Sequence, residues 1–139
     1  MRKVLSYDDV LLVPKYSDIT SRSQVDISAD LDSVITLDVP IVGAPMDTVV
    51  GTEMATALSH AGTFGVLHRY CSIEEQTEMV TEVVANSEGE NPVAAAIGAT
   101  GDFLERAQEL HGAGAEILCV DVAHGHHAHV KKAIGGLRG

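Results

Sequence analysis

The chain has 139 residues, 45% of them hydrophobic and 21% charged, with a formal net charge of -11. That length and balance describe one globular domain with a sizeable core and exclude a disordered tail. The negative charge repels phosphate backbones and anionic lipid, which argues against a nucleic-acid partner; any nucleotide must be held by local amides and helix N-termini. No apolar run approaches a membrane span, and the basic start Met1–Asp9 lacks the apolar stretch of a secretory signal. The two cysteines, Cys71 and Cys119, make neither a metal spacing nor a disulfide framework. The chain reads as cytoplasmic and reduced, with no membrane partner.

Residues 1 to about 40 show no helical period. Turn signals at Val13–Asp18 and Thr20–Ser23 precede two alternating stretches, Val25–Ser28 and Val34–Leu37, which predict an antiparallel hairpin. Four apolar runs follow, at 41–44, 64–67, 93–97 and 117–121, each leading into an amphipathic helix. Short unbroken runs of this kind predict parallel strands covered on both faces. The first helix, about 52–61, places Met54, Ala57, Leu58 and Ala61 on one face and stops at Gly62. The second opens with a capping box, Ser72 with Glu75. Its stripe is Ile73, Val80 and Val84, with Gln76 and Thr77 completing the spacing. The third starts near Asp102, has Glu105 three residues on, buries Phe103, Leu104, Ala107 and Leu110, and ends at Gly112 and Gly114. The fourth, about 127–137, shows Val130, Ala133, Ile134 and Leu137. Residues 86–92 form a surface connection. The fold class is α/β. Sequential βα units with right-handed crossovers predict the first four units of a TIM (β/α)₈ barrel, preceded by a hairpin segment; a whole barrel needs roughly 200 residues or more.

Reactive groups in such barrels lie just past the strands. Gly43–Thr48 follows the first run. It reads either as a turn in which Asp47 and Thr48 help start the first helix, or as a small-residue turn that offers backbone amides at the barrel mouth, with Met46 as an apolar platform for a flat ligand. Gly98–Gly101 follows the third run but lacks the G-x-G-x-x-G pattern, so a tight turn is expected there. Asp121–His127 follows the fourth. The H-x-H spacing of His124 and His126, with His127 and His129 beyond, is shared by zinc hydrolases. Cys119 falls inside a strand, where burial disfavours the thiolate; Cys71 stands before the Ser72 cap with no base near it in sequence.

Five motifs stand in order: Tyr7-Asp8-Asp9-Val10-Leu11-Leu12-Val13-Pro14, Ala44-Pro45-Met46-Asp47-Thr48-Val49, Gly65-Val66-Leu67-His68-Arg69-Tyr70, Ser72-Ile73-Glu74-Glu75-Gln76 and Asp121-Val122-Ala123-His124-Gly125-His126. On these motifs the chain resembles the N-terminal half of the catalytic barrel of the IMP dehydrogenase/GMP reductase family. The resemblance implies a TIM barrel that binds a purine nucleotide monophosphate and exchanges hydride between its C2 and a nicotinamide cofactor. It places Ala44 and Met46 on the nucleotide-binding loop, Met46 against the purine. Many relatives carry Ser where Ala44 stands, so one hydroxyl contact is missing. Asp121, with Val122 and Ala123, matches the stretch beside the cofactor's nicotinamide end; Asp121 also suits a helix N-cap.

The family's nucleophilic cysteine lies on a loop after the sixth strand and its phosphate-binding glycines on later loops. The resemblance therefore implies no catalytic residue within 1–139 and an inactive isolated chain. It accounts for His124-Gly125-His126 as a loop motif without metal. Residues 85–92 occupy the place where typical IMP dehydrogenases insert a regulatory CBS-type module. That short connection, with Ser21-Arg22-Ser23 and His68-Arg69-Tyr70, favours GMP reductase, which deaminates GMP to IMP with NADPH (the NADP cofactor pair). The alternative is an NAD-dependent IMP dehydrogenase lacking the insert. A non-catalytic half-barrel that binds a partner chain or nucleotide is the reading from another class, and a metal hydrolase a third. The implied partner is the missing C-terminal half or a homo-oligomer, the family often being tetrameric.

Overall fold

The computed structural model describes residues 2–87, 89 and 91–138. Residues 2–28 are exposed throughout and, among the described residues, hydrogen-bond only to near neighbours. Two 3₁₀ turns, Tyr7–Asp9 and Arg22–Gln24, interrupt this arm. Each is closed by a side chain at its end: Asp9 Oδ2 accepts the Ser6 N–H (2.9 Å), and Gln24 Oε1 accepts the Thr20 N–H (3.0 Å).

A hairpin follows, but not where alternation alone places its first strand. Strand β1 (Ala29–Asp30) pairs antiparallel with β2 (Thr36–Leu37), Ala29 opposite Leu37 and Asp30 opposite Thr36. The turn decides the register. The Asp32 carboxylate accepts the N–H groups of Val34 (2.8 Å) and Ile35 (2.7 Å), which bends the chain at 32–35 and starts pairing immediately outside it. Residues 25–28 therefore lie beyond the ladder, where Asp26 turns back onto the Ser28 N–H. The Val34 N–H, and then that of Ile35, hold the Asp32 carboxyl below the usual carboxylate range.

The main sheet is open and parallel. Its strands β3 (Val66–Leu67), β4 (Ala94–Ile97) and β5 (Ile117–Val120) lie in sequential order, Val66 opposite Ala94 and Ala94 opposite Ile117. The expected first strand at 41–44 is reduced to one parallel bridge, Gly43 to Gly65. Pro40 and Pro45 bracket this segment, and Ile41 turns its N–H to the Val39 carbonyl. The bridge itself requires glycine. A Cβ at Gly43 or Gly65 would lie 2.8 Å from a Val50 methyl, so the two backbones meet only without side chains.

Strand side chains alternate between two cores. Leu67, Ala95, Ile97, Leu118 and Val120 face the helices and pack with Val80, Val83, Ala107 and Leu110. Phe64, Val66, Ala94, Ala96, Ile117 and Cys119 face the opposite side, where Ile35 and Leu37 of the hairpin cover them. Ala94 to Ile97 are wholly inaccessible, whereas β5 is only half-buried, since β4 pairs with just one of its sides.

Helix α1 (Thr52–His60) buries Ala55 and Ser59 and leaves Met54 and Ala57 exposed, so its expected face is wrong by about one residue. Small residues explain the rotation: Ala55 and Ser59 let α1 approach β3 and the next helix more closely than a methionine would. Helix α2 (Ile73–Asn86) starts as expected, with Glu75 N–H on Ser72 Oγ (3.1 Å) and Ser72 N–H on Glu75 Oε2 (2.8 Å). Its buried stripe is Gln76, Val80 and Val83; Val84 is exposed. Helix α3 (Phe103–Gly112) buries Arg106, Ala107 and Leu110, with Phe103 half-buried and Leu104 exposed. Helix α4 (Ala128–Leu137) buries Ala133 and half-buries Val130 and Leu137, while Ile134 is exposed. No described helix is long and apolar enough to cross a membrane.

Two substitutions separate the cap from the core. Ser72→Ala is expected to lower the unfolding free energy by about 1 kcal/mol. Leu110→Ala, at a site with no exposure, is expected to cost about 2–5 kcal/mol. Urea unfolding midpoints at unchanged slope report both. Acid tests the hairpin: the Asp32 acceptor is present above the ordinary carboxylate range and lost as pH falls through its depressed value. The Val34 and Ile35 amide shifts should therefore titrate together, at lower pH than the aspartates of the unfolded chain.

Candidate ligand-binding site

Parallel strands carry their loops to one edge. The loops after β3, β4 and β5 open together, and Arg69, Gly98, Thr100, Val122, His124 and His127 line a cavity of about 240 Å³ between them. Arg69 stands two residues past β3 and Asp121 one residue past β5, so the guanidinium reaches across the end of β4. Arg69 Nη2 donates to the Asp121 carbonyl (3.1 Å), and Nε stands 3.4 Å from Asp121 Oδ2. At that separation the pair is ionic but its N–H is misaligned. Nε and Oδ2 are each sealed from solvent and neither has a hydrogen-bond partner. The Asp121 N–H is anchored to the Ile97 carbonyl (2.9 Å), which fixes the carboxylate relative to β4. The guanidinium also lies 5.6 Å from the centre of the Tyr70 ring.

The expected site residues separate into two places. Val122 lines the cavity and Asp121 meets Arg69 beside it, while Ala123 is exposed and outside it. Ala44 and Met46 do not reach this cavity. Their loop bends into a tight turn in which the Val49 and Val50 N–H groups both donate to the Met46 carbonyl (2.9 Å each), and the Met46 side chain is left half-exposed. A cleft of about 550 Å³ begins just beyond it, lined by Asp47, Thr48 and the first turns of α1. Asp121 does not cap α4; His127 does, its Nδ1 accepting the His129 N–H (3.1 Å).

The histidines are close without converging on a point. The rings of His127 and His129 lie 4.6 Å apart edge-on, and those of His124 and His127 6.3 Å apart. Among the described residues no group of three or more His, Cys, Asp or Glu is placed to hold a metal ion. Burial pushes both thiols up: Cys71 against the opposing pull of Arg106, and Cys119 with a smaller push from Asp121.

Three participants were hard to see in the sequence. Arg69 belongs to a recognised motif, but its pairing with Asp121 shows only when both are counted from their strand ends. Gln76 and Arg106 each stand at an apolar stripe position of consecutive helices, three residues after Ile73 and Phe103 and four before Val80 and Leu110. Matching polar intrusions of that kind are the signal that two side chains pair beneath the surface.

A parallel sheet with polar loops gathered past its strand ends defines an open α/β fold. Comparison with known families makes the class specific: the model of the IMP dehydrogenase / GMP reductase domain matches residues 4–139, and the chain belongs to that family. It is similar to an inosine-5'-monophosphate dehydrogenase of Nitrosopumilus maritimus, 53% identical over 79 residues, which cover 57% of this chain and 17% of that protein. An inosine-5'-monophosphate dehydrogenase of Rhodopirellula baltica is 38% identical over 109 residues, covering 74% and 20%. A GMP reductase of Leishmania donovani is 48% identical over 79 residues, covering 57% and 16%. The chain thus matches a fifth or less of each relative's length.

Thiol chemistry tests the electrostatics of this face. Because burial disfavours both thiolates, Cys71 and Cys119 should alkylate more slowly than cysteine in the unfolded chain at neutral pH, with rates that climb as pH rises. Mass-resolved iodoacetamide labelling reads each site; labelling of Cys71 at the unfolded rate would contradict its placement.

Proposed function

We propose that this chain supplies the first four βα units of a purine nucleotide oxidoreductase barrel, and that the cavity past β3–β5 takes the nicotinamide end of the cofactor. The observation that carries the reading is the placement of Arg69 and Asp121, which meet across the end of β4 beside the cavity of about 240 Å³. A carboxamide, with an acceptor oxygen and a donor NH₂, fits a mouth lined by polar groups from three loops. When bound, the cofactor supplies or accepts the hydride exchanged with purine C2. The chain's own residues bind and orient: Asp121 and Val122 at the nicotinamide end, with Ala123 on the same loop just outside the cavity, and Ala44 and Met46 on the nucleotide loop, with the half-exposed Met46 as the apolar surface for the purine.

The direction favoured is GMP reduction, in which GMP, NADPH and two protons give IMP, NADP⁺ and ammonium. The short connection from Asn86 to Ala94 supports it over NAD-dependent IMP oxidation. Relatives named for both enzymes support the shared chemistry equally. The open edges of the sheet and the exposed arm support a partner that completes the barrel, either a C-terminal half or a second copy. Covering about 1,000 Å² of apolar surface is worth roughly 25 kcal/mol before ordering and association costs.

Activity assays test this directly. The isolated chain should give no GMP-dependent loss of NADPH absorbance and no IMP-dependent gain of NADH. Mixing it with a C-terminal barrel half from a family member should restore one of the two. Turnover by the isolated chain that Cys71→Ser abolishes would show that the nucleophile lies within these residues. In sedimentation the chain alone should self-associate; a monodisperse, cooperatively folding monomer would contradict the open-edge account.

A further inference from the structure

A buried polar pair lies outside the cavity lining and hydrogen-bonds to none of it. Gln76 of α2 is wholly inaccessible and Arg106 of α3 is 7% exposed. Arg106 uses every N–H it has. Nε and Nη2 donate to Asp102 Oδ2 (3.1 and 2.9 Å), and Nη2 also donates to the Cys71 carbonyl (3.2 Å). Nη1 donates to the Ser72 carbonyl (3.4 Å) and to Gln76 Oε1 (2.7 Å). Gln76 is equally spent: its Nε2 donates to the Ala96 carbonyl (2.9 Å) and at longer range to that of Leu67 (3.5 Å).

The accepting carbonyls are the informative part. Leu67 ends β3, Ala96 lies next to the end of β4, and Cys71 and Ser72 close the loop that carries Arg69. One two-residue strut thus ties together two strand ends, one mouth loop and two helices. We propose that Gln76 and Arg106 are positioning residues for the ligand face: they set the 68–72 loop, and through it the placement of Arg69 against Asp121. The proposal rests on the reading that the mouth binds a nicotinamide nucleotide, but its geometric half stands without it. A guanidinium is required because a planar fork with five donors serves four acceptors at fixed angles, which a single ammonium cannot.

The test uses Arg106→Lys and Gln76→Glu in the 139-residue chain, with two readouts. The first is the Arg69 Nε–H resonance, which reports the Arg69–Asp121 pair whether or not anything binds. Arg106→Lys keeps the charge opposite Asp102 and should lose that resonance to exchange. Gln76→Glu still accepts from Arg106 but cannot donate to Leu67 and Ala96, so it should weaken the Arg69 resonance less than Arg106→Lys does. The second readout is affinity. In Arg106→Lys the Kd for NADPH should rise about tenfold or more, as expected when a charge-assisted hydrogen bond is misaligned, while that for GMP stays unchanged. A merely structural role would weaken both ligands in step with stability. An unchanged Arg69 resonance or an unchanged NADPH Kd in a folded Arg106→Lys chain overturns the proposal. If the wild-type chain binds no nicotinamide nucleotide, the functional reading fails and the resonance alone decides the strut. If neither variant folds, hydrogen exchange in the wild type decides: the Arg69 Nε–H should be protected together with the Gln76 side-chain amide, and fast exchange at Arg69 alone would refute the coupling.

Discussion

A cation buried under the carboxyl end of the sheet constrains most of what lies around it. An unpaired ion in that position costs several kcal/mol, and replacing a buried ion pair by apolar groups is often neutral. Arg106 therefore contributes less to net stability than to uniqueness. Its donors are satisfied only when the Cys71–Ser72 turn, Gln76 and Asp102 hold one arrangement. Any sliding of α3 against α2 would strand at least one N–H. The helices could pack in several registers on apolar contacts alone; this network selects one of them.

The small residues of β4 complete the selection. Ala94, Ala95 and Ala96 leave room for Gln76 to reach the Ala96 carbonyl from one side and for Phe64 and Leu37 to close on the other. The strand ends are thereby fixed, and the mouth inherits that order. Arg69 and Asp121 meet there across β4, so the carboxylate beside the cavity is offset by a cation. The chain as a whole carries a net charge of -11, so a negatively charged ligand gains attraction only from local groups such as Arg69 and the neighbouring amides.

Much of this was legible in the amino-acid order. Helical spacing and the Ser72–Glu75 box located α2, and unbroken apolar runs located β3, β4 and β5 in their sequential order. The errors have physical causes. At 41–44 the apolar run looked like its successors, but flanking prolines and the Gly43–Gly65 approach left a single bridge. Alternation at 25–28 looked like a strand, but the Asp32 turn began pairing later. In α1 two adjacent faces fit the helical period, and close approach favoured the smaller side chains of Ala55 and Ser59. Motif positions singled out Asp121 and Val122, and in the fold Val122 lines the mouth while Asp121 pairs with Arg69 beside it. No local pattern showed that Ala44 and Met46 would lie away from the cavity, or that Arg69 would be the partner of Asp121, because both depend on which strands become neighbours.

The central claim is that the loops past β3, β4 and β5 form one ligand face organised by Arg69 and Asp121. Chemical-shift mapping of the isotope-labelled chain during titration with NADP⁺ tests it most directly. The account predicts that the largest shifts fall on Arg69, Gly98–Thr100 and Asp121–His124. Shifts centred on the Asp47–Ala57 cleft, or on α4 beyond His129, with Arg69 and Asp121 unmoved, would contradict it.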